Sequence, residues 1–300
     1  MSLPNELNFA VISDFHCHHS SQGAAKTLLL SDAERSPSSQ HPVEALLDLI
    51  KVTSLKADIL LMPRDLTNAV DPQGMLSGWG FVQEIGSALG ASCIAPTLGN
   101  HDVISRQPCD DAFKLARRLR SPKFPSADEQ AFDQFWSKGF FVVDGEQWRV
   151  LAVNSVASHT TEESAKQGLV TPHQLDSIQN FLSSATPKAV QVAMCHHHPI
   201  LHEDIGLGKS DVMENGSLLV ETLSKYGFSL LVHGHKHHPK LTYSSGPTPL
   251  PILASGSFSA GMKNGLASRT RNVFHLVTLS NSSTVFVGSH SCGWLPWWAA

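Results

Sequence analysis

Side chains that bind divalent metal ions gather in five short groups along the sequence. The groups are Asp14-Phe15-His16, Asp65, Gly99-Asn100-His101-Asp102, His196-His197-His198-Pro199 and His233-Gly234-His235-Lys236-His237. Carboxylate, amide and imidazole donors in one site suit Mn²⁺, Fe or Zn²⁺ better than Ca²⁺ or a thiolate-selected ion. The groups therefore predict a transition-metal site, provided that the fold brings them together.

Each group also has an ordinary structural explanation. Asp14 and His16 can be a helix cap and a surface histidine, Asp65 can open a turn, and Gly99-Asn100 is a good turn in its own right. The three consecutive histidines are harder to explain in this way, because buried imidazoles are costly unless they bind something. The prediction therefore depends on the ordered set of five groups.

Predicted strands explain how the groups can meet. Ten short apolar or β-branched runs, each bounded by turn residues, indicate buried strands. They cover residues 8–13, 59–62, 92–96, 141–143, 149–153, 189–194, 229–232, 251–254, 273–279 and 284–287. Each metal-binding group follows the end of one of these strands, and strand ends are where α/β proteins build their sites.

Helical patterns separate several of the strands. The apolar faces consist of Val43, Leu46, Leu47 and Ile50; of Leu175, Ile178 and Leu182; and of Leu219, Thr222, Leu223 and Tyr226. Strands and helices alternate in the N-terminal part, whereas about the last fifty residues show strands alone. This order predicts a layered α/β architecture with an antiparallel portion.

Three stretches indicate loops, which in compact domains are often functional or mobile when they are long. Residues 20–42 are rich in Ser, Gly and Ala, residues 103–107 lead into a mostly polar helical insertion, and residues 155–167 are polar throughout. The Trp-rich segment at residues 294–298 is expected to pack on the protein's own surface or on a partner in a homodimer. Contact with a membrane interface is the alternative for this segment.

Composition limits the class of protein. With 300 residues and 41% hydrophobic content the chain can bury a full core, and we expect a single domain over residues 1–300. A net charge of −4 does not favour nucleic acid as a partner. Five widely spaced cysteines indicate a reduced, cytoplasmic setting. We expect neither a signal peptide nor a membrane span, which needs ~20 apolar residues.

The order of the five groups resembles that of the calcineurin-like metallophosphoesterases, and the motifs run from Asp14 to His237. The Gly-Asn-His-Asp form is similar to that of the class III cyclic-nucleotide phosphodiesterase group. The resemblance implies a four-layer αββα sandwich with two mixed β-sheets. It also implies two divalent metal ions (Mn, Fe or Zn) held at the strand ends.

The resemblance also implies a role for each residue of the site. The first metal is expected on Asp14, His16 and His237, the second on Asn100, His197 and His235, and Asp65 is expected to bridge them. His197 is chosen because the family ligand stands two residues before the proline. His196 and His198 are then its neighbours.

The implied activity is hydrolysis of a phosphoester by a hydroxide that bridges the metals. His101 is the candidate for stabilising the transition state and protonating the leaving oxygen, with Asn68 as its partner and Asp102 as a further candidate. The expected substrates are cyclic nucleotides or similar small phosphodiesters. A phosphomonoesterase, a nuclease and a catalytically impaired binding scaffold are the alternatives.

Arg64 departs from the family pattern, in which glycine precedes the bridging aspartate. A guanidinium directed inward is expected to oppose metal binding or to bind a substrate phosphate. One directed outward would affect only the local fit. The sequence leaves these alternatives open.

Overall fold

The structure, a computed structural model, describes residues 6–22, 27–120, 122–201, 211–260, 272–280 and 285–291. These residues form eleven strands and seven α-helices. The strands are β1 (Glu6–Val11), β2 (Ile59–Met62), β3 (Cys93–Pro96), β4 (Phe140–Asp144), β5 (Trp148–Val153), β6 (Val190–Met194), β7 (Leu230–His233), β8 (Lys240–Tyr243), β9 (Pro251–Ala254), β10 (Val273–Ser280) and β11 (Val285–Ser291).

The strands form two mixed sheets. The first has the order β11-β10-β1-β2-β3. Strands β1, β2 and β3 are parallel to one another, and β10 pairs antiparallel with both of its neighbours, β1 and β11. The second has the order β4-β5-β6-β7-β9-β8, with four parallel central strands and antiparallel strands at both edges. All ten predicted strands are confirmed, and β8 is a strand that the sequence did not predict.

Five of the seven described α-helices begin at a residue whose side chain accepts a hydrogen bond from a backbone N–H of the first turn. The seven helices are α1 (Pro42–Thr53), α2 (Pro72–Leu89), α3 (Lys114–Arg117), α4 (Glu129–Lys138), α5 (Glu162–Gln167), α6 (Pro172–Ser184) and α7 (Gly216–Lys225). Asp71 caps α2, Asp128 caps α4, and Thr171 forms a capping box with Gln174 at the start of α6. The predicted apolar faces of α1, α6 and α7 are confirmed, because their central residues are buried.

Alternate residues of the second sheet pack into two different apolar layers. Val150 and Ala152 of β5 lie in the core that is shared with the first sheet. Leu151 and Val153 lie in a separate core with residues of α6 and α7. Helices α1 and α2 contribute their buried side chains to the core of the first sheet. The predicted four-layer αββα sandwich is therefore confirmed.

Helix α2 lies unusually close to the loops that follow the strands, and glycine makes this possible. A Cβ at Gly74 would lie 2.1 Å from the carbonyl oxygen of Cys17, and one at Gly78 would lie 3.0 Å from the Leu66 side chain. Farther along the helix, a Cβ at Gly86 would lie 2.6 Å from Ile94 of β3. The glycines thus let α2 pack directly on the first sheet and on the loops beyond it.

The remaining sequence features are partly covered by the structure. The stretch 155–167, predicted as a loop, contains the short helix α5 with Thr161 as its N-cap. The Trp-rich segment at 294–298 lies outside the described residues. None of the described helices combines the length and the apolarity that crossing a lipid bilayer requires.

Candidate metal centre

The five predicted groups lie in the loops that follow β1, β2, β3, β6 and β7. Several residues of these loops have a positive φ, a conformation that non-glycine residues seldom adopt. They are Asp14 (55°), His16 (47°), Arg64 (91°), Asp65 (60°), His235 (85°) and His237 (58°). Such backbone strain persists only where the surrounding structure enforces it, and it concentrates at functional sites.

The first cluster consists of Asp14, His16 and His237, whose donor atoms all lie within 4.8 Å of one another. The Nε2 atoms of His16 and His237 are 2.8 Å apart. Asp14 Oδ1 is 3.3 Å from His237 Nε2 and 3.8 Å from His16 Nε2. This is the set that the family resemblance assigns to the first metal.

The second cluster forms around the side-chain oxygen of Asn100. Nδ1 of His235 lies 3.0 Å from Asn100 Oδ1, and Nε2 of His196 lies 3.1 Å from the same atom. His196, His197 and His235 have donor atoms within 4.8 Å of one another. The structure therefore brings His196, as well as the predicted His197, to the second position.

Asp65 lies between the two clusters. Its Oδ2 is 3.8 Å from His16 Nε2 in the first cluster and 3.3 Å from His196 Nε2 in the second. Its Oδ1 accepts a hydrogen bond of 2.8 Å from the backbone N–H of His101. This carboxylate is placed where a ligand shared by two ions would be.

His196 and His197 differ in what their other ring nitrogens bind. Nδ1 of His196 lies 3.1 Å from the carbonyl oxygen of Pro63, which leaves Nε2 facing the cluster. Both nitrogens of His197 have protein partners: Nδ1 lies 2.9 Å from Ser155 Oγ, and Nε2 lies 3.1 Å from the carbonyl oxygen of Ala165. A metal-binding histidine usually donates its second N–H to a carbonyl or carboxylate, as His196 can do here.

Ser155 and the end of helix α5 support the histidines, a role that no motif in the sequence indicated. The buried hydroxyl of Ser155 accepts hydrogen bonds from the backbone N–H groups of His196 and His197, at 3.1 and 3.2 Å. The carbonyl oxygen of Lys166, in the last turn of α5, lies 2.8 Å from Nε2 of His235. Carbonyls in the last turn of a helix have no partner within the helix and are available for such bonds. The polar stretch 155–167 was the only signal of them in the sequence.

The family model of calcineurin-like phosphoesterases matches residues 7–239. The chain belongs to the calcineurin-like phosphoesterase family. A dimetal phosphatase from Danio rerio has a similar structure, with 9% identity, a TM-score of 0.55, and coverage of 95% of this chain and 98% of that one. PhoD is also similar, with 9% identity, a TM-score of 0.58, and coverage of 95% and 68%. No curated protein matches the sequence.

Calcineurin-like phosphoesterases hydrolyse phosphoesters with two divalent metal ions, and this site fits such a pair. The donors are carboxylate, amide and imidazole groups, which suit divalent transition metals. Two glycines let the backbone approach them closely. A Cβ at Gly99 would lie 2.1 Å from Asp65 Oδ1, and one at Gly234 would lie 2.4 Å from Asp14 Oδ2. Either side chain would occupy the space of a ligand.

The charges of this phosphoesterase site also suit cations. Burial by itself raises the pKa of Asp14 and Asp65, but neighbouring histidines bring the pKa of both carboxyls below its ordinary value. Burial lowers the pKa of His235 well below its usual range. For His196, burial has the same lowering effect, but the carboxylates of Asp65 and Asp14 outweigh it and raise the pKa to about 9. Metal ions need ionised carboxylates and neutral imidazoles, so His196 must release a proton.

His101 lies at the edge of the site with a defined tautomer. Its donor atom is within 4.8 Å of those of His16 and Asp65. The backbone N–H of Ala69 donates to His101 Nδ1 at 3.3 Å, so the imidazole proton resides on Nε2. Burial lowers the pKa of His101 to about 4, which makes the ring neutral at pH 7.

For the two other candidate catalytic residues, Asn68 and Asp102, the described hydrogen bonds go to groups other than the His101 ring. Asn68, the expected partner of His101, takes part through its backbone, since its N–H donates to the Cys17 carbonyl at 3.1 Å. The hydrogen bond to His101 Nδ1 comes from Ala69 instead. Asp102 is fully buried, and its carboxylate binds backbone N–H groups of the loops after β2 and β3.

Proposed function

We propose that this phosphoesterase is a phosphodiesterase that acts on cyclic nucleotides or similar small phosphodiesters. The observation that carries the proposal is the pair of ligand clusters joined by Asp65, with His101 at their edge. The similarity of Gly99-Asn100-His101-Asp102 to the class III phosphodiesterase motif supports this substrate class.

The charge around the clusters also favours a phosphodiester. Lys236 stands between the ligands His235 and His237, and its ammonium group is paired with Asp211 Oδ1 at 3.1 Å. A phosphomonoester carries up to two negative charges at neutral pH and gains more from an unpaired cation than a singly charged phosphodiester does. Because the charge of Lys236 is already paired with Asp211, the site favours a singly charged phosphodiester over a phosphomonoester.

We assign the ligands as follows. Asp14, His16 and His237 would hold the first ion, Asn100, His196 and His235 would hold the second, and Asp65 would be shared between the two. His196 takes the place that the sequence motif gave to His197, because its Nε2 faces Asn100 and Asp65 while both nitrogens of His197 contact protein groups. His197 then acts as a support for the loop.

Bound divalent ions supply a water of lowered pKa and positive charge for the phosphoryl oxygens. The protein contributes orientation and hydrogen bonds. With its proton on Nε2, His101 donates a hydrogen bond to the oxygen that leaves phosphorus. The Ala69 N–H, which donates to Nδ1, keeps the ring in that tautomer. A donor aimed at developing negative charge contributes about 10²- to 10³-fold to the rate.

A comparison of substrates with matched leaving groups tests the proposed substrate class. The Mn²⁺-loaded protein is assayed with bis(p-nitrophenyl) phosphate, p-nitrophenyl phosphate, and 3′,5′- and 2′,3′-cyclic nucleotides. We expect kcat/KM for the diester to exceed that for the monoester by at least about tenfold, together with turnover of a cyclic nucleotide. A preference for the monoester would indicate a phosphomonoesterase. Metal binding without turnover of any of them would indicate a binding scaffold.

A further inference from the structure

Arg64, the residue that replaces the family's glycine, is fully buried and directed neither at the clusters nor at solvent. Its Nε lies 3.0 Å from Asp102 Oδ2, an ionic contact, and its Nη1 donates to the carbonyl oxygen of Thr97 at 3.3 Å. The guanidinium lies over the ring of Phe124, with Cζ 3.9 Å from the centroid. None of the alternatives drawn from the sequence, which were repulsion of metals, binding of substrate and a side chain directed outward, matches this position.

Asp102, the partner of Arg64, joins two of the loops that carry ligands. Its Oδ1 accepts from the N–H groups of Leu66 and Thr67, at 2.8 and 3.1 Å, in the loop that carries Asp65. Its Oδ2 accepts from the N–H of Gly99 at 2.9 Å, in the loop that carries Asn100 and His101. A buried carboxylate in this position needs a cation, because an isolated charge in the interior is very unfavourable.

The backbone of Arg64 reaches a third loop. Its carbonyl oxygen accepts from the N–H of Asp14 at 2.7 Å and from the hydroxyl of Ser13 at 3.0 Å. With φ at 91°, Arg64 has a strained backbone that glycine would adopt without cost. The side-chain contacts hold the residue in this conformation, from which the chain continues directly into Asp65.

We propose that Arg64 is a positioning residue whose ion pair with Asp102 holds the loops after β1, β2 and β3 in the arrangement that two metal ions require. This proposal rests on the metal ligands assigned above. Other family members have glycine here, which adopts a positive φ freely. In this chain the side-chain contacts of Arg64 hold the backbone in that conformation instead. Loss of the ion pair is therefore expected to weaken metal binding even where glycine relieves the backbone.

The test measures the Mn²⁺ dissociation constant by calorimetry, together with kcat, KM and thermal unfolding, for Arg64→Gly, Arg64→Met, Arg64→Lys and Asp102→Asn. We expect Arg64→Met and Arg64→Gly to weaken Mn²⁺ binding by at least about tenfold, and Arg64→Lys to recover part of the loss by restoring the charge. The double variant Arg64→Met/Asp102→Asn should lose less than the sum of the two single changes, since neither charge is left unpaired.

Arg149→Met is the matched control. Arg149 is also buried and paired with an aspartate, Asp144, at 2.7 Å, but it lies at the start of β5, at the opposite end of the strand from Ser155. We expect this variant to lower the unfolding temperature and to leave the Mn²⁺ dissociation constant unchanged.

Two results would overturn the positioning role. One is Mn²⁺ binding by Arg64→Met or Arg64→Gly that is as tight as, or tighter than, that of the wild-type protein. The other is a loss of affinity in Arg149→Met equal to that in Arg64→Met, which would indicate general destabilisation. A wild-type protein that binds no metal would instead refute the proposed function itself.

Discussion

The hydrogen bonds of two histidines select the ring nitrogen that faces the second metal position. Pro63 binds His196 through Nδ1, and Lys166 binds His235 through Nε2, so opposite ring atoms turn toward Asn100. A neutral imidazole that donates from one nitrogen keeps a lone pair on the other. The fold thereby presents Nε2 of His196 and Nδ1 of His235 as ligand atoms.

The metal content of two variants shows whether His196 or His197 is the ligand of the second ion. We expect His196→Ala to reduce the bound metal from about two ions per chain to about one, because it removes a ligand of the second ion. His197→Ala should keep about two ions. His198→Ala serves as the control, since its buried ring lies against His233, with centroids 4.3 Å apart. Elemental analysis measures the number of bound ions. If His196→Ala kept both ions and His197→Ala lost one, His197 would be the ligand of the second ion, as the sequence motif predicted.

His101 is expected to act as a neutral hydrogen-bond donor. His101→Ala should keep its metal and lose about 10²- to 10³-fold in kcat on diesters with poor leaving groups, with a smaller loss on nitrophenyl esters. His101→Gln, which retains an N–H donor, should lose less. Because the pKa of His101 is about 4, the N–H is present at every pH above that value. Loss of activity as pH rises through 6 to 7, removed by His101→Gln, would show that a cationic His101 is required instead.

Metal binding should depend on pH through His196. Its pKa of about 9 in the metal-free protein means that the ring is protonated at pH 7 and must lose that proton to bind an ion. Raising the pH toward 9 therefore removes the competing proton and tightens binding. Calorimetry of Mn²⁺ binding at pH 7 in buffers of different ionisation enthalpy should detect release of at least about one proton per chain, because the pKa of the ligand His16, which burial lowers, is raised above its ordinary value by Asp14 and Asp65. No proton release, or affinity that does not change between pH 7 and 9, would contradict this.

At the scale of elements, the short helix α5 supports the second metal position with its C-terminal carbonyls. Ala165 and Lys166 accept hydrogen bonds from His197 and His235. Gly168, which ends the helix with φ at 71°, lies so close that a Cβ would be 2.3 Å from the ring of His197. The end of α5 and the histidines are thus packed as one unit.

Gly168→Ala tests the contact between the end of α5 and the histidines of the second metal position. The added methyl group should displace the end of α5 and weaken binding of the second ion. It also carries a backbone cost, because a φ of 71° with a ψ of 169° is a conformation that essentially only glycine adopts. Gly227→Ala is the control, since Gly227 has φ at 72° and the structure shows no described atom within 4 Å of a Cβ there. We expect both variants to lose unfolding free energy, since both residues have a positive φ, and metal binding to weaken in Gly168→Ala alone. Equal metal affinities would refute the role of α5.

Elements with a strong local pattern were predictable from the sequence, and elements stabilised by tertiary contacts were not. The buried strands and the faces of α1, α6 and α7 follow apolar periodicity. Helix α2 was not predicted, because its glycines lower helix propensity while permitting the contacts with Cys17, Leu66 and Ile94. The edge strand β8 was missed because it is short and alternates between intermediate and exposed residues, which gives little apolar signal.

At the scale of the whole molecule, the sequence predicted which groups converge but not how they are supported. Strand order brings the five loops together, and the family pattern names their ligands. The roles of Ser155, Ala69 and Arg64 depend on backbone groups that only the fold brings near. The single domain, the cytoplasmic location and the homodimer stay predictions.

Asp65 is the one carboxylate that we expect to be shared by two metal ions in this site. Elemental analysis and Mn²⁺ titration of the wild-type protein and of Asp65→Ala test this claim directly, with Asp128→Ala, which removes the cap of α4, as the control. We predict about two ions per chain for the wild type and the control, and almost none, with no phosphodiester turnover, for Asp65→Ala. A full metal complement in Asp65→Ala, or one ion in a fully active wild type, would contradict the claim.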